Sequence, residues 1–120
     1  MSEKFDTDKK RLVWARDEGH CVRCGVAVWE GDVHHRRPRG MGTALRVWWA
    51  NHHSNLLLLD RSCHDWIEAN REESLAAGWL ISPGVEPWTV PVTYWDGIVY
   101  ELHDEDYRTP VGVTAAFGAP

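Results

Sequence analysis

The chain has 120 residues, a formal net charge of −5 and only three cysteines. That length predicts one small domain, which buries only about two-thirds of the surface its unfolded chain exposes and therefore gains from a metal or another staple. The acidic balance excludes a protein that coats nucleic acid through bulk charge, the odd cysteine count excludes a complete disulfide framework, and no segment approaches the roughly 20 apolar residues of a membrane span.

Residues Asp8 to Glu18 combine helix formers with apolar Leu12, Val13 and Trp14, and Gly19 stops the run, which predicts a first helix. Cys21 to Gly25 reads as a tight turn with the form of a zinc knuckle. Val26 to Trp29 is a candidate short strand, and Glu30-Gly31-Asp32 a turn. Val33 to Arg37 is the next predicted strand, ended by Pro38. Arg39 to Ser54 forms a long loop, and such loops in compact domains are usually functional. Asn55 to Leu59 is a continuous apolar strand and should be buried. Helical periodicity then runs from Ser62 to Ala77, with Trp66, Ile67, Ala69 and Leu75 as core contacts and Gly78 as C-terminal cap. Beyond it, Trp79-Leu80-Ile81 suggests a strand, and Asp96-Gly97 between Val92–Trp95 and Ile98–Tyr100 is a strong hairpin signal. The chain from Asp104 onward is acidic, then small and flexible, with the last ten or so residues expected to be poorly ordered.

The chemistry concentrates in two segments, His34-His35-Arg36-Arg37-Pro38-Arg39 and Asn55-Leu56-Leu57-Leu58-Leu59-Asp60-Arg61-Ser62-Cys63-His64. Four arginines and no acids lie between His34 and Arg46, whereas Glu101 to Asp106 carries four acids. A basic patch on an acidic chain suits a site that engages one stretch of phosphates and releases it. Strand alternation sends His34 and His35 to opposite faces, so one can hold a metal while the other faces water. A histidine with an ordinary pKa near 6.5 serves as a base at neutral pH. Arg36, Arg37, Arg39 and Arg46 are the candidate phosphate contacts, since the planar guanidinium grips phosphate oxygens in pairs.

The ordered set His-His-Arg-Arg-Pro-Arg-Gly-Met-Gly, Asn-Leu-Leu-Leu-Leu and Cys-His-x-x-Ile-Glu resembles HNH endonucleases, and in detail the small HNH proteins encoded by phages of actinobacteria. The resemblance spans about Cys21 to Asp106. It implies an α+β fold with a ββα-metal core over about residues 33–78, a zinc-knuckle-like N-terminal part and a β-rich C-terminal addition over about 79–103. It further implies one-metal hydrolysis of DNA phosphodiester bonds. In that scheme His35 is the general base, and His34 and His64 are ligands of a catalytic divalent ion (magnesium, manganese, nickel or zinc). Asn55 is the supporting asparagine, and Glu68, one helical turn after His64, is a weaker further ligand. DNA is the expected partner, a phage terminase or packaging machine a further one. The expected location is cytoplasmic, in the phage-infected or lysogenic host, in keeping with the absence of a signal-peptide pattern in Met1 to Arg11. The rival reading is a non-catalytic zinc-knuckle module that binds DNA or protein.

Relatives with this knuckle carry a second Cys-x-x-Cys pair, which here reads Asp60-Arg61-Ser62-Cys63. The implied structural zinc set is Cys21, Cys24, Cys63 and Asp60. Aspartate ligates zinc, though as a harder and weaker partner than thiolate. His20 is an alternative fourth ligand, and Asp60 alternatively caps the helix. Of the remaining features, His52 and His53 read as solvated or DNA-facing. Most of the eight tryptophans should be core. Trp48 and Trp49 either stack on a base or pack under the loop, and His103 and Asp104 to Asp106 have no expected catalytic part.

Overall fold

A computed structural model of the chain describes residues 7–29, 32–37 and 48–114. It is a small α+β fold with the helices α1 (Thr7–Arg16), α2 (Arg61–Ala69) and α3 (Arg71–Ala77) and two antiparallel sheets. The first sheet pairs β1 (Asp32–His35) with β2 (Leu56–Leu59), placing His34 opposite Leu57 and His35 opposite Leu56. The second is a meander of β3 (Val92–Thr93), β4 (Ile98–Leu102) and β5 (Arg108–Val113). No helix among the described residues is long and apolar enough to cross a membrane.

Every leucine of β2 is at most 1% exposed, as its unbroken apolar run predicts. Val13, Val22, Cys63, Ile67 and Leu80 close around it. A buried ionic knot fastens this layer to the second sheet. Arg16 grips Asp17 with two bonds of 2.8 Å and donates to the carbonyls of His53 and Leu56. The Tyr94 hydroxyl and the Leu58 N–H donate to the Asp17 carboxylate. Each polar group withdrawn from water here has a partner, the condition under which burial is tolerated.

Several expected elements take a different form. The single helix over 62–77 is broken at Asn70, whose backbone leaves the helical region at φ −128° and ψ 66°. The break is local competition for hydrogen bonds. Asn70 Nδ2 donates to the Trp66 carbonyl, while Ser74 donates through both N–H and hydroxyl to the Asn70 carbonyl. The turn rotates Ala69 and Leu75 out to solvent, so only Ile67 and the half-buried Trp66 of the four expected contacts reach the core. Residues 26–29 form no strand, only an isolated bridge between His20 and Ala27. Trp79 to Ile81 is buried but irregular. The acidic stretch after Asp104 is followed by β5 rather than an irregular tail.

Gly78 does cap α3 in the left-handed region at φ +83°, and a Cβ there would lie 2.1 Å from the Pro91 carbonyl oxygen. Asp96-Gly97 turns the expected hairpin, with Tyr94 N–H donating to the Ile98 carbonyl. The tryptophans depart furthest from expectation. Only Trp49 and Trp79 are fully buried, and Trp29 and Trp48 are 89% and 76% exposed.

Candidate functional site

Two loops converge to build the first cluster. The turn after Cys21 closes with Gly25 N–H donating to the Cys21 carbonyl and Cys21 N–H to the Val26 carbonyl. Val22 N–H then fastens it to the Leu58 carbonyl of β2. Gly25 is needed for its φ of +83° and because a Cβ would strike the Trp95 ring at 2.6 Å. On the other side, Asp60 precedes α2 and Cys63 lies in its first turn. The ligand atoms of Cys21, Cys24, Asp60 and Cys63 all lie within 4.8 Å of one another, the one group of three or more candidate donors among the described residues. Three sulfurs and one carboxylate at this spacing can bind a metal such as zinc.

Asp60 stands at the N-cap, yet its side chain makes no capping bond to the helix backbone. The carboxylate instead accepts from Ser62 Oγ at 2.7 Å and from the Cys24 thiol at 3.4 Å. Burial alone would raise its pKa, but the bonds donated by Ser62 and the three cysteines hold it well below the usual carboxylate range. The geometry thus favours Asp60 as a member of the cluster over the capping alternative. His20 is turned elsewhere, its Nδ1 donating to the Glu18 carbonyl at 2.8 Å. Burial pushes the Cys21 thiol up to about 11 and raises the Cys63 thiol as well. Arg23, between the two knuckle cysteines, donates to Cys63 Sγ at 3.3 Å while its guanidinium lies 3.6 Å over the Trp66 ring. A cation beside a thiolate set offsets its negative charge, a contribution the Cys-Val-Arg-Cys spacing alone does not reveal.

The second cluster follows strand alternation. His34 is 2% exposed and His35 is half-buried, so the two rings part as the pleat requires. His34 meets His64 of α2 edge to face with ring centroids 5.1 Å apart. Two imidazoles on one tetrahedral ion at about 2.1 Å would have centroids about 5 Å apart, so the observed pair has the right spacing. Nε2 of His34 donates to the Trp79 carbonyl at 3.1 Å, which leaves the ring lone pair on Nδ1. Metal-binding histidines are commonly oriented by such a bond. His64 Nδ1 is buried without a hydrogen-bond partner and lies 3.9 Å from Asp65 Oδ1, too far for one. Burial and then the neighbouring His64 lower the His34 pKa to about 4, keeping its ring neutral. The pair thus brings two ring nitrogens to one place. Glu68 is exposed and does not complete a three-donor group with them among the described residues.

Asn55 is completely buried and staples the two sides of the loop. Its Oδ1 accepts from the Arg37 N–H at 3.0 Å, and its Nδ2 donates to the Ala50 carbonyl at 2.7 Å. Both bonds run to the main chain. His35 Nε2 donates to Asn51 Oδ1 at 2.8 Å.

No family model, curated protein or solved structure matches this chain. Its function therefore has to be read from these groups themselves.

The arginines divide differently from expectation. Arg36 is 0% exposed and donates to the carbonyls of Gly78, Ser54, Pro87 and Val90 at 2.6–3.0 Å. Its guanidinium is a staple between three loops, with no surface left for phosphate. Arg37 is likewise buried at 7% exposure, its guanidinium 5.9 Å from the Trp49 ring centroid. Arg39 and Arg46 lie outside the described residues. His52 and His53, expected to be solvated or DNA-facing, are half-buried and engage Asp104. His52 Nδ1 lies 2.9 Å from its carboxylate and His53 Nδ1 donates to its carbonyl. Ser54 Oγ also donates to the Asp104 carboxylate. Asp104, which nothing in its acidic surroundings singled out, thus anchors the segment leading into β2. Trp48 stays exposed with its ring edge-on to His52 at 5.1 Å, whereas Trp49 packs under the loop against Trp88.

Proposed function

We propose that this chain is a metal-dependent DNA endonuclease of the HNH type, with His34, His35, Asn55 and His64 as its working set. The observation that supports the reading is the His34–His64 pair, whose ring separation of 5.1 Å is compatible with two ligands of one ion. One ring is oriented by a backbone carbonyl and the other presents a buried, unpartnered nitrogen. A divalent ion held there would supply electrostatic stabilisation of the charge that develops on the phosphate and on the departing oxygen.

The protein's own residues do the rest. His35, with Nε2 donating to Asn51, carries its lone pair on Nδ1. From there it takes a proton from a water molecule as that water attacks phosphorus in line with the 3′ oxygen. The 3′ oxygen departs with the bonding electrons and takes a proton from solvent, leaving 5′-phosphate and 3′-hydroxyl ends, and His35 returns its proton to solvent. Asn55 holds the strand end and the loop turn in register so that the base keeps its aim. With Arg36 and Arg37 withdrawn into the core, phosphate contact falls to Arg39 and Arg46. The Cys21, Cys24, Asp60, Cys63 cluster acts as a structural zinc site that clips the N-terminal turn to α2.

The test is cleavage of supercoiled plasmid with magnesium, manganese or nickel by wild type and by His35→Ala. Wild type should nick, one site acting on one strand at a time. His35→Ala should lose at least about a hundredfold in rate while retaining DNA binding. A variant that cuts at the normal rate would remove His35 as base, and a wild type that binds DNA without cutting it would favour a zinc-knuckle binding module.

A further inference from the structure

We infer that Asn51 is a positioning residue for His35, and that the buried Asn55 acts on the base through it. Asn51 lies outside the histidine segments, in a loop with no regular periodicity, yet its Oδ1 is the acceptor for His35 Nε2 at 2.8 Å. Aiming a base requires an acceptor that is itself held still. The turn of residues 48–51 meets that condition. Trp49 is 5% exposed and packs edge-on against Trp88. The Ala50 carbonyl accepts from Asn55 Nδ2 at 2.7 Å. Lys9 Nζ donates to the Asn51 carbonyl at 2.7 Å, and His52, next in the chain, is tied to Asp104.

Asn55 therefore grips both partners of the contact. Through Oδ1 it holds Arg37, two residues beyond His35, and through Nδ2 it holds Ala50, the residue before Asn51. The two asparagines form a clamp: the inner one sets the distance between strand end and turn, and the outer one converts that distance into an imidazole orientation. Accepting at Oδ1 fixes the proton on Nε2 and the lone pair on Nδ1. Asn51 is exposed, and its fastening to Lys9 runs through its main chain. Its side chain can therefore be changed without unpinning the turn.

The inference rests on the nuclease reading only for its kinetic measurement. Asn51→Ala should melt with wild type, lower kcat on plasmid at least about tenfold and leave KM within about twofold, the pattern of a misaimed base. Asn51→Asp, which keeps an oxygen acceptor, should recover most of that loss. In parallel, 15N-edited NMR at about pH 8, above the ordinary histidine range, should show a slowly exchanging His35 Nε2–H in wild type and Asn51→Asp that is lost in Asn51→Ala. If that proton is unchanged in Asn51→Ala, or that variant cleaves at the wild-type rate, the inference is overturned. If wild type cuts no DNA while the NMR pattern appears as expected, the positioning contact stands and the nuclease reading falls.

Discussion

Acid should destabilise this fold through His34, by an amount that follows from its surroundings. The ring is 2% exposed, and burial first and the charge of His64 second lower its pKa from an ordinary 6.5 to about 4, against the opposing pull of the Trp79 carbonyl. A base with a lowered folded pKa stays neutral in the native state at a pH where the unfolded chain is already protonated. Unfolding then takes up a proton between about pH 6.5 and 4, so stability is complete above that window and falls as pH drops through it. A gap of about 2.5 pH units at about 1.4 kcal/mol each amounts to about 3.5 kcal/mol, a large share of what a small domain has. Urea unfolding in metal-free buffer across this window measures it, with His34→Gln as reference. Glutamine can still donate to the Trp79 carbonyl but does not titrate. His53 is also lowered by burial and adds a fall of the same sign to both proteins, so the difference between them isolates His34. Stability curves that run parallel for wild type and His34→Gln would refute the burial argument.

Chelation should lower the melting temperature by at least about 10 °C if the Cys3Asp set holds zinc, because metal binding free energy is folding free energy in a domain this small. Asp60→Cys should tighten zinc against a competing chelator and Asp60→Ala loosen it at least about tenfold, whereas melting unaffected by verified zinc removal would leave a knuckle held by packing alone. Arg36→Met should leave the carbonyls of Gly78, Ser54 and Val90 without this donor at about 1 kcal/mol or more each, enough to shift the urea midpoint severely or prevent folding, while the Pro87 carbonyl keeps the Val90 N–H. A mild loss of stability with a large loss of DNA affinity would instead restore Arg36 to the phosphate-binding role that its position in the sequence suggests.

What was legible in the sequence is what has a period or a fixed spacing. The four leucines of β2, the Asp96-Gly97 hairpin and the Gly78 cap each follow from rules that act over a few residues. So does the Cys-x-x-Cys turn, and the second half of its cluster follows once Asp60 is admitted in place of a cysteine. The helix break at Asn70 was not legible, because the polar side chain competes with a backbone bond that periodicity takes for granted. Nor was β5, whose residues Arg108–Val113 include a proline and a glycine and gain their order from pairing with β4.

The arginines show the deeper reason. Arg36 and Arg37 sit in a basic run that composition assigns to solvent or phosphate, and only tertiary closure decides that one donates to carbonyls from three separate loops. The residues that sequence reading passed over, Asn51, Asp104 and Arg23, share this property: each acts through a contact at least 16 positions away. In a domain with so little core, polar side chains replace apolar area as the means of fixing loops. Motif residues such as Asn55 and His34 are held by the same bonds that hold the fold, so a change at either alters the structure as well. Asn51 is the exception. It reaches His35 from an exposed turn whose fastening runs through its backbone, so its side chain is where orientation of the His35 ring can be altered while the fold is left intact.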